Sequence, residues 1–460
     1  MTYTTIFLGR GSVVVENPTR RIKEGLRSFN HSRDGGSYDD LFFMSQSGDT
    51  MSTLPGYAGR IMDLCPEAKI RDNRVPMPPA ILSEAVKGVD PAWHGVITSA
   101  INSGGGVVSV PEMLGSDGVA SAIARAFQRQ DLLDRGTPLT VIASRDRESA
   151  KMTALLLRNL LPDRDVGIWS SGSHTDSEDI IVTTYGAMGE LPLHLAGVFI
   201  GDDLTYGYFR DRAEGVSSIR NAARWGVVST PSGGCSCIGL EVEGLFGPIV
   251  AQATYRQAVE SGIGVPITVC WMNAPAPNEP LGSAPLKVLE ETAITRNMEM
   301  MRTLSEIVRL APNDLGCIVF TEFVETLKKV ASNMPSGLAE AHVKMPAKLR
   351  RETLADIKQG VIKKAIVNKG CEHFTSGHHG VLVVATCGTG DVSGVPIPWR
   401  RLKNKGDRSF IVDFRHDWDV NNGRPGVLAR NDEARMRRYR DLGFHQIAIS
   451  EVNQLPFVNG

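Results

Sequence analysis

Short apolar runs alternate with helical patterns along two long stretches of this chain of 460 residues. Each run is bounded by Gly or polar residues, which is typical of a strand buried on both faces. The runs predict strands at 106–110, 139–144, 179–184, 197–200 and 226–230, and again at 316–321, 381–386 and 408–414. Helical patterns fall at 119–127, 304–310, 322–332 and 350–360. Alternation of this kind predicts two α/β domains, each with a parallel sheet covered by helices.

Proline-rich stretches suggest where the domains meet. Residues 75–79 predict the end of a small N-terminal domain, 1–78, and the start of a first α/β domain, 79–275. Residues 276–285 are expected to form a semi-rigid linker. A second α/β domain, 286–415, and a basic helical tail, 416–460, are expected to follow.

Composition excludes several classes of protein. The net charge is −1, so only local basic groups can indicate a nucleic-acid partner. No apolar run is long enough for a membrane span, and the first residues lack a signal-peptide pattern, so we expect a cytoplasmic protein without a membrane partner. The seven cysteines are scattered without a CxxC pair, which predicts neither a disulfide framework nor a metal site.

The strand, loop and helix at 106–127 have the order of a phosphate-binding P-loop. Such a loop ends in Gly-Lys-Ser/Thr, where the lysine reaches the outer phosphates and the hydroxyl holds Mg²⁺. Gly115, Ser116 and Asp117 stand at these positions. The cation is missing, and Asp117 adds a negative charge beside any phosphate. These three residues therefore predict a vestigial cofactor site; the alternative is a loop in which Ser116 or Asp117 only caps the helix.

The order of the segments resembles that of superfamily 2 helicases, especially the phage recombination-type and excision-repair-type branch. The most specific likeness lies at 243–250 and 255–266, which resemble this branch's exit from its first motor domain. Residues 223–231 look like its Ser/Thr-Ala-Thr-Pro motif, and 317–322 resemble the opening motif of its second motor domain. The resemblance implies two tandem RecA-like domains, a small N-terminal domain and a phage-encoded protein acting in the host cytoplasm.

The resemblance also implies catalytic positions. Asp202 and Asp203 stand where the family has the Asp-Glu of Walker B, and they could hold Mg²⁺ or act only as turn residues. Arg400 and Arg401 fall where the family has its arginine fingers, although they could equally bind backbone phosphates. Trp399 replaces the family's glycine there and would crowd a nucleotide.

Two groups are candidates for nucleic-acid binding. Thr183, Thr184 and Tyr185 are similar to the family's strand-then-threonine motif, although they are also ordinary strand residues. In the tail, a helix predicted to open at 431–432 carries Arg435 and Arg438, with Arg424 before it. These arginines could follow a nucleic-acid backbone while Tyr439 stacks on a base.

The alternative for the tail is an amphipathic helix that packs Met436, Tyr439 and Leu442 inward. A second basic group, comprising Lys344, Lys348, Arg350 and Arg351, is open to the same two interpretations.

Three functional hypotheses follow. The first is a helicase-like protein that binds DNA, or a partner such as another helicase or a recombination protein, with its ATP site impaired. The second is an active DNA helicase with a nonstandard P-loop, for which ATP and Mg²⁺ would be the cofactors. The third is a structural or regulatory subunit that keeps the fold for protein contacts.

Overall fold

The computed structural model describes most of the chain and divides it into two compact units, Met1–Thr254 and Tyr255–Gly460. The described residues are 3–30, 37–40, 45–74, 76–111, 116–128, 139–144, 147–169, 179–191, 193, 196–202, 204, 216, 219, 221–228, 237–278, 284–334, 338–368, 371, 379–386, 397–398, 403–404, 406–421 and 424–458. No helix in these ranges is long and apolar enough to cross a membrane.

The first unit begins with a mixed sheet of five strands in the order β5-β6-β2-β1-β7. Its strands are β1 Thr5–Leu8, β2 Val13–Glu16, β5 Ser45–Ser47, β6 Thr50–Thr53 and β7 Lys69–Asp72. A hairpin, β3 Arg27–Asn30 and β4 Ser37–Asp40, and two helices, α1 Arg20–Gly25 and α2 Ala58–Leu64, accompany it. Alternate residues of β1 and β2 enter the core, as expected for a sheet with one covered face.

A parallel sheet of seven strands forms the rest of the first unit, in the order β10-β11-β9-β12-β13-β8-β14. Its strands are β8 Gly106–Ser109, β9 Leu139–Ser144, β10 Val166–Trp169, β11 Ile180–Thr184, β12 Ala196–Gly201, β13 Ala223–Val228 and β14 Ile249–Gln252. Its helices are α3 Leu82–Val86, α4 His94–Asn102, α5 Ser116–Ala126, α6 Arg147–Leu160 and α7 Cys237–Phe246.

The mixed sheet and the first parallel sheet share one hydrophobic core. A 3₁₀ turn at Pro55–Tyr57 packs on α7, and Arg60 donates two hydrogen bonds, of 3.0 and 2.7 Å, to the Glu243 carboxylate. A Cβ atom at Gly56 would lie 1.8 Å from the carbonyl oxygen of Glu243, so only glycine permits this approach. The expected N-terminal domain is therefore packed firmly against its neighbour within the first unit.

The second unit contains another parallel sheet of seven strands, in the order β17-β18-β16-β19-β20-β15-β23. Its strands are β15 Ile267–Asn273, β16 Cys317–Thr321, β17 Ala339–Ala341, β18 Lys364–Asn368, β19 Val381–Val384, β20 Ser409–Arg415 and β23 His445–Ile449, with a small hairpin of β21 Val420–Asn421 and β22 Arg424–Pro425. Its helices are α8 Tyr255–Glu260, α9 Leu286–Glu290, α10 Met298–Leu310, α11 Val324–Asn333, α12 Ala347–Lys358 and α13 Val427–Asp441, and short helical turns lie at Glu291–Thr295 and Val452–Gln454.

The two parallel sheets confirm the predicted tandem RecA-like fold, but the boundaries differ from those expected. β15 lies before the expected linker at 276–285, yet it pairs with β20 and β23 of the second sheet. The expected tail, 416–460, supplies α13 and β23 and belongs to the second unit as well. These pairings join residues far apart in sequence, so the division between the units falls after Thr254.

Candidate nucleotide and nucleic-acid site

Asp202 follows β12 at the carboxyl edge of the first parallel sheet, the edge at which such sheets bind ligands. Its backbone N–H donates a hydrogen bond of 2.8 Å to the carbonyl oxygen of Ala143 on the neighbouring strand. The Ser144 hydroxyl donates to Asp202 Oδ2 at 3.4 Å, and Asp202 is only 2% exposed. The position expected to match Walker B therefore holds a buried carboxylate between two strand ends. Asp203 lies outside the described residues.

The strand-then-threonine segment is tied to the same edge. The Tyr185 hydroxyl donates a hydrogen bond of 2.9 Å to the carbonyl oxygen of Asp202, and the Thr183 hydroxyl donates one of 3.1 Å to that of Trp169. Thr183 and Tyr185 are buried, whereas Thr184 is partly exposed. Of the three predicted contacts, Thr184 is therefore the one whose side chain reaches the surface.

The P-loop position has the expected backbone order. β8 ends at Ser109 and α5 begins at Ser116, so Ser116 and Asp117 stand in the first turn of a helix. Backbone N–H groups in such a turn attract anions, but the negative charge that the sequence places there disfavours a phosphate. Gly115 lies outside the described residues. What the segment lacks is the lysine, as the sequence itself shows.

A buried glutamate lies within the second unit, and the sequence interpretation missed it. Glu290, at the end of α9, has no exposed surface, and its Oε2 accepts a hydrogen bond of 2.7 Å from the Thr386 hydroxyl. The backbone N–H of Phe323 donates to its Oε1 at 3.5 Å. Burial raises the pKa of Glu290 to about 7. Its place in the apolar pattern of α9 was the signal that could have revealed it.

Arg435 does not lie on the surface. It has no exposed surface, its Nε donates to Asp413 Oδ2 at 2.9 Å, and its Nη2 donates to Asp432 Oδ1 at 2.8 Å. The Tyr439 hydroxyl donates to Asp413 Oδ2 at 3.1 Å, and His416 Nδ1 lies 2.9 Å from Asp432 Oδ2. Burial alone would lower the pKa of the Arg435 guanidinium, but the two carboxylates outweigh this effect and raise the pKa above its usual value.

This buried network contradicts the prediction that Arg435 contacts nucleic acid. Leu428, Asp432, Arg435 and Tyr439 form the inward face of α13, because their spacing of three and four residues repeats once per helical turn. The helix begins at Val427 rather than at 431–432, and Asp419 Oδ2 caps it by accepting a hydrogen bond of 2.7 Å from the N–H of Leu428. Tyr439 packs inward, as the amphipathic alternative predicted.

The other arginines of this region are at the surface. Arg424 is exposed and Arg438 is partly exposed, and three further arginines of α13 are exposed on its outward side: Arg430, Arg437 and Arg440. In the second basic group, Lys344 contacts Glu325 at 2.6 Å, which neutralises part of its charge. Arg400 and Arg401 lie outside the described residues. Within the described part of the chain, no group of three His, Cys, Asp or Glu side chains could hold a metal ion.

Comparison with known proteins gives matches among solved structures only. No protein-family model and no curated protein matches the chain. The structure of S. cerevisiae Dbp5 bound to RNA and ADP BeF3 is 11% identical with a TM-score of 0.55, covering 82% of this chain and 94% of that chain. The DUF1998 helicase MrfA bound to DNA and AMPPNP is 14% identical with a TM-score of 0.51, covering 84% of this chain and 56% of that chain. The structure of T4 UvsW is 12% identical with a TM-score of 0.43, covering 98% of this chain and 99% of that chain.

Proposed function

From the superfamily 2 helicase-like fold of this chain, we propose that it binds nucleic acid, DNA rather than RNA, without turning over ATP. The fold supports the first part, because Dbp5 is bound to RNA and MrfA to DNA in the structures that resemble it. The observation that carries the second part is the sequence Gly115-Ser116-Asp117, which leads into the first turn of α5 where the helicase loop requires a lysine.

The charge balance at this loop disfavours a nucleoside triphosphate. A lysine about 4 Å from a phosphate contributes roughly 4 kcal/mol at an effective dielectric constant of about 20. Loss of that attraction alone weakens binding by roughly a thousandfold, at about 1.4 kcal/mol per tenfold change. Asp117 adds repulsion to this loss. The buried Asp202 could still accept Mg²⁺, but a metal ion there has no lysine to help it neutralise the outer phosphates.

The proposed nucleic-acid contacts are surface groups. Arg424 and Arg438, with the other outward arginines of α13, would bind backbone phosphates, and Thr184 would donate a hydrogen bond from the edge of the first sheet. Arg435 is excluded from this role because it is buried with its two carboxylates. Phosphate contacts carry no sequence information, so we propose binding that depends on strand geometry rather than on base sequence.

A double charge reversal tests these contacts. Arg424→Glu with Arg438→Glu should weaken binding of a fluorescent DNA duplex and reduce the salt dependence of its affinity, measured by anisotropy from 50 to 200 mM salt. Arg20→Glu with Arg309→Glu makes the same change in net charge at exposed residues of α1 and α10, and it should have a smaller effect. Equal effects of the two pairs would refute the contact surface.

The same preparation separates the other hypotheses. DNA-stimulated ATP hydrolysis that disappears in Asp202→Ala would indicate an active helicase and would overturn the loss of ATP turnover. Absence of DNA and RNA binding even at low salt would leave only the role of a subunit that retains the fold for protein contacts.

A further inference from the structure

A cavity of about 310 Å³ lies at the amino edge of the first parallel sheet, opposite the Asp202 edge. Its floor comes from the residues that lead into β8, β13 and β14. Its other wall comes from the mixed sheet and α2, where the chain leaves β1 and β7. All of these elements belong to the first unit, so the cavity joins its two sheets.

Arg224 lies at the back of this cavity and is only 5% exposed. Its Nη1 donates to the carbonyl oxygen of Leu245 at 3.2 Å, and its Nη2 donates to that of Ile219. Its Nε has no hydrogen-bond partner, and no carboxylate among the described residues forms an ion pair with it. A buried cation without a counter-charge is costly, so this guanidinium is suited to binding an anion.

Two more arginines line the same cavity. Arg74 follows β7 and donates to both carboxylate oxygens of Asp72, and Arg10 follows β1. Burial and the charge of Arg74 lower the pKa of Arg10, while Asp72 partly offsets this effect. Three guanidinium groups, those of Arg10, Arg74 and Arg224, thus line one cavity, and Asp72 pairs with Arg74.

Glycine keeps the floor of the cavity open. Gly104 and Gly105 adopt φ angles of 73° and 143°, which disfavour other residues. A Cβ atom at Gly105 would lie 2.9 Å from the carbonyl oxygen of Arg224, so a larger residue would displace the strand that carries the arginine. These glycines therefore shape the arginine cavity at the amino edge of the sheet, and they are remote in the fold from the P-loop end of β8.

We propose that this cavity binds a small free oxyanion of the phosphate class, with Arg224 at its back and Arg10 and Arg74 at its sides. The planar guanidinium fork matches two oxygens of a tetrahedral oxyanion. The volume is at the low end for ligand pockets, which fits a small ion. Because its walls come from both sheets, the bound ion holds the mixed sheet to the parallel sheet. This proposal does not depend on the proposed function.

Inorganic phosphate is the probe, titrated into the full chain by isothermal calorimetry at constant ionic strength with chloride as the balancing ion. The wild type should bind one phosphate saturably. Arg74→Gln should weaken the affinity by about tenfold or more, the usual effect of losing a charged hydrogen bond. The matched control is Arg71→Gln, because Arg71 is exposed on the same strand and does not line the cavity. It should bind phosphate as the wild type does.

Arg224→Met should abolish binding. If that variant fails to fold, Arg224→Lys, which keeps the charge but loses the fork, should bind more weakly than the wild type. No saturable uptake by the wild type, or equal losses in Arg71→Gln and Arg74→Gln, would overturn the proposal. A second experiment adds a short DNA duplex to the phosphate-bound protein. If the duplex displaces phosphate, and if Arg74→Gln weakens duplex binding to the same extent as phosphate binding, the cavity binds nucleic acid and the assignment to a small free ion is wrong.

Discussion

Replacing Arg435 with Met should destabilise the second unit far more than the same replacement of Arg437, two residues further along α13. Arg435 has no exposed surface, and its loss leaves the carboxylates of Asp413 and Asp432 buried without their cation. Breaking a buried ion pair in this way costs about 3–5 kcal/mol. The Arg437 side chain is 69% exposed and lies 4.0 Å from a Glu433 oxygen, and an exposed pair of this kind contributes about 1 kcal/mol or less.

Thiol labelling measures this difference in the correct unit. Cys317 is buried in β16 with its pKa raised by burial to about 12, so it reacts only when the second unit opens. Labelling of Cys317, followed by mass spectrometry in mild denaturant, should accelerate by roughly a hundredfold to several thousandfold in Arg435→Met, at about 1.4 kcal/mol per tenfold change. Arg437→Met should label within about fivefold of the wild type.

The pH dependence provides an internal check. Burial already raises the pKa of Asp413, and loss of Arg435 raises it further. A carboxyl group whose pKa is raised in the folded state makes the protein less stable as the pH rises through that pKa. The loss of stability caused by Arg435→Met should therefore be larger at pH 8 than at pH 5. Equal labelling rates for the two variants would refute the buried network, as would a deficit that does not change with pH.

Three further predictions concern other sites. Between pH 5 and pH 8, the stability of Glu290→Gln should rise by about 2.5 kcal/mol relative to that of the wild type, because the raised pKa of about 7 makes ionisation of the glutamate unfavourable in the folded state. Chemical unfolding at both pH values checks this, and a stability difference that does not change with pH would contradict it. Gly56→Ala should destabilise the first unit by about 1–3 kcal/mol, whereas Gly59→Ala, with open space around its Cβ, should be neutral or stabilising by up to about 1 kcal/mol. Equal thermal stabilities of the two variants would argue against the close contact between Gly56 and α7. Thr184→Val should weaken DNA affinity and Thr183→Val should not, since the Thr183 hydroxyl is buried and already donates a hydrogen bond. Fluorescence anisotropy measures both affinities, and a larger loss of affinity in Thr183→Val than in Thr184→Val would be inconsistent with this assignment.

Most inner strands of the two sheets could be predicted from the sequence, because burial on both faces makes them continuously apolar, but the inner strands β15 and β18 were not predicted. The eight predicted runs correspond to β8, β9, β11, β12 and β13 in the first sheet and to β16, β19 and β20 in the second. The edge strands β14 and β23 were missed because they are partly exposed and lack that pattern. β15 is almost entirely buried, but a local pattern cannot show that it pairs with β20 rather than with the first sheet.

The P-loop and Walker B assignments rest on local sequence patterns, and they stay predictions. The sequence did not show which arginines are buried, because the sequence pattern of a basic helix is the same whether its charges face solvent or a carboxylate. The spacing of Asp432, Arg435 and Tyr439 was the available signal, since it places them on one helix face. A single arginine within the buried strand β13, Arg224, was a similar signal for the cavity at the opposite edge.

One combined measurement tests the proposed function most directly: DNA binding and ATP hydrolysis by the same preparation of the full chain. DNA affinity should fall linearly on logarithmic axes as salt rises, and saturating DNA should leave ATP hydrolysis at the level of a protein-free control. DNA-stimulated hydrolysis that Asp202→Ala removes would contradict the proposed loss of ATP turnover, and failure to bind DNA at low salt would contradict the proposed nucleic-acid role.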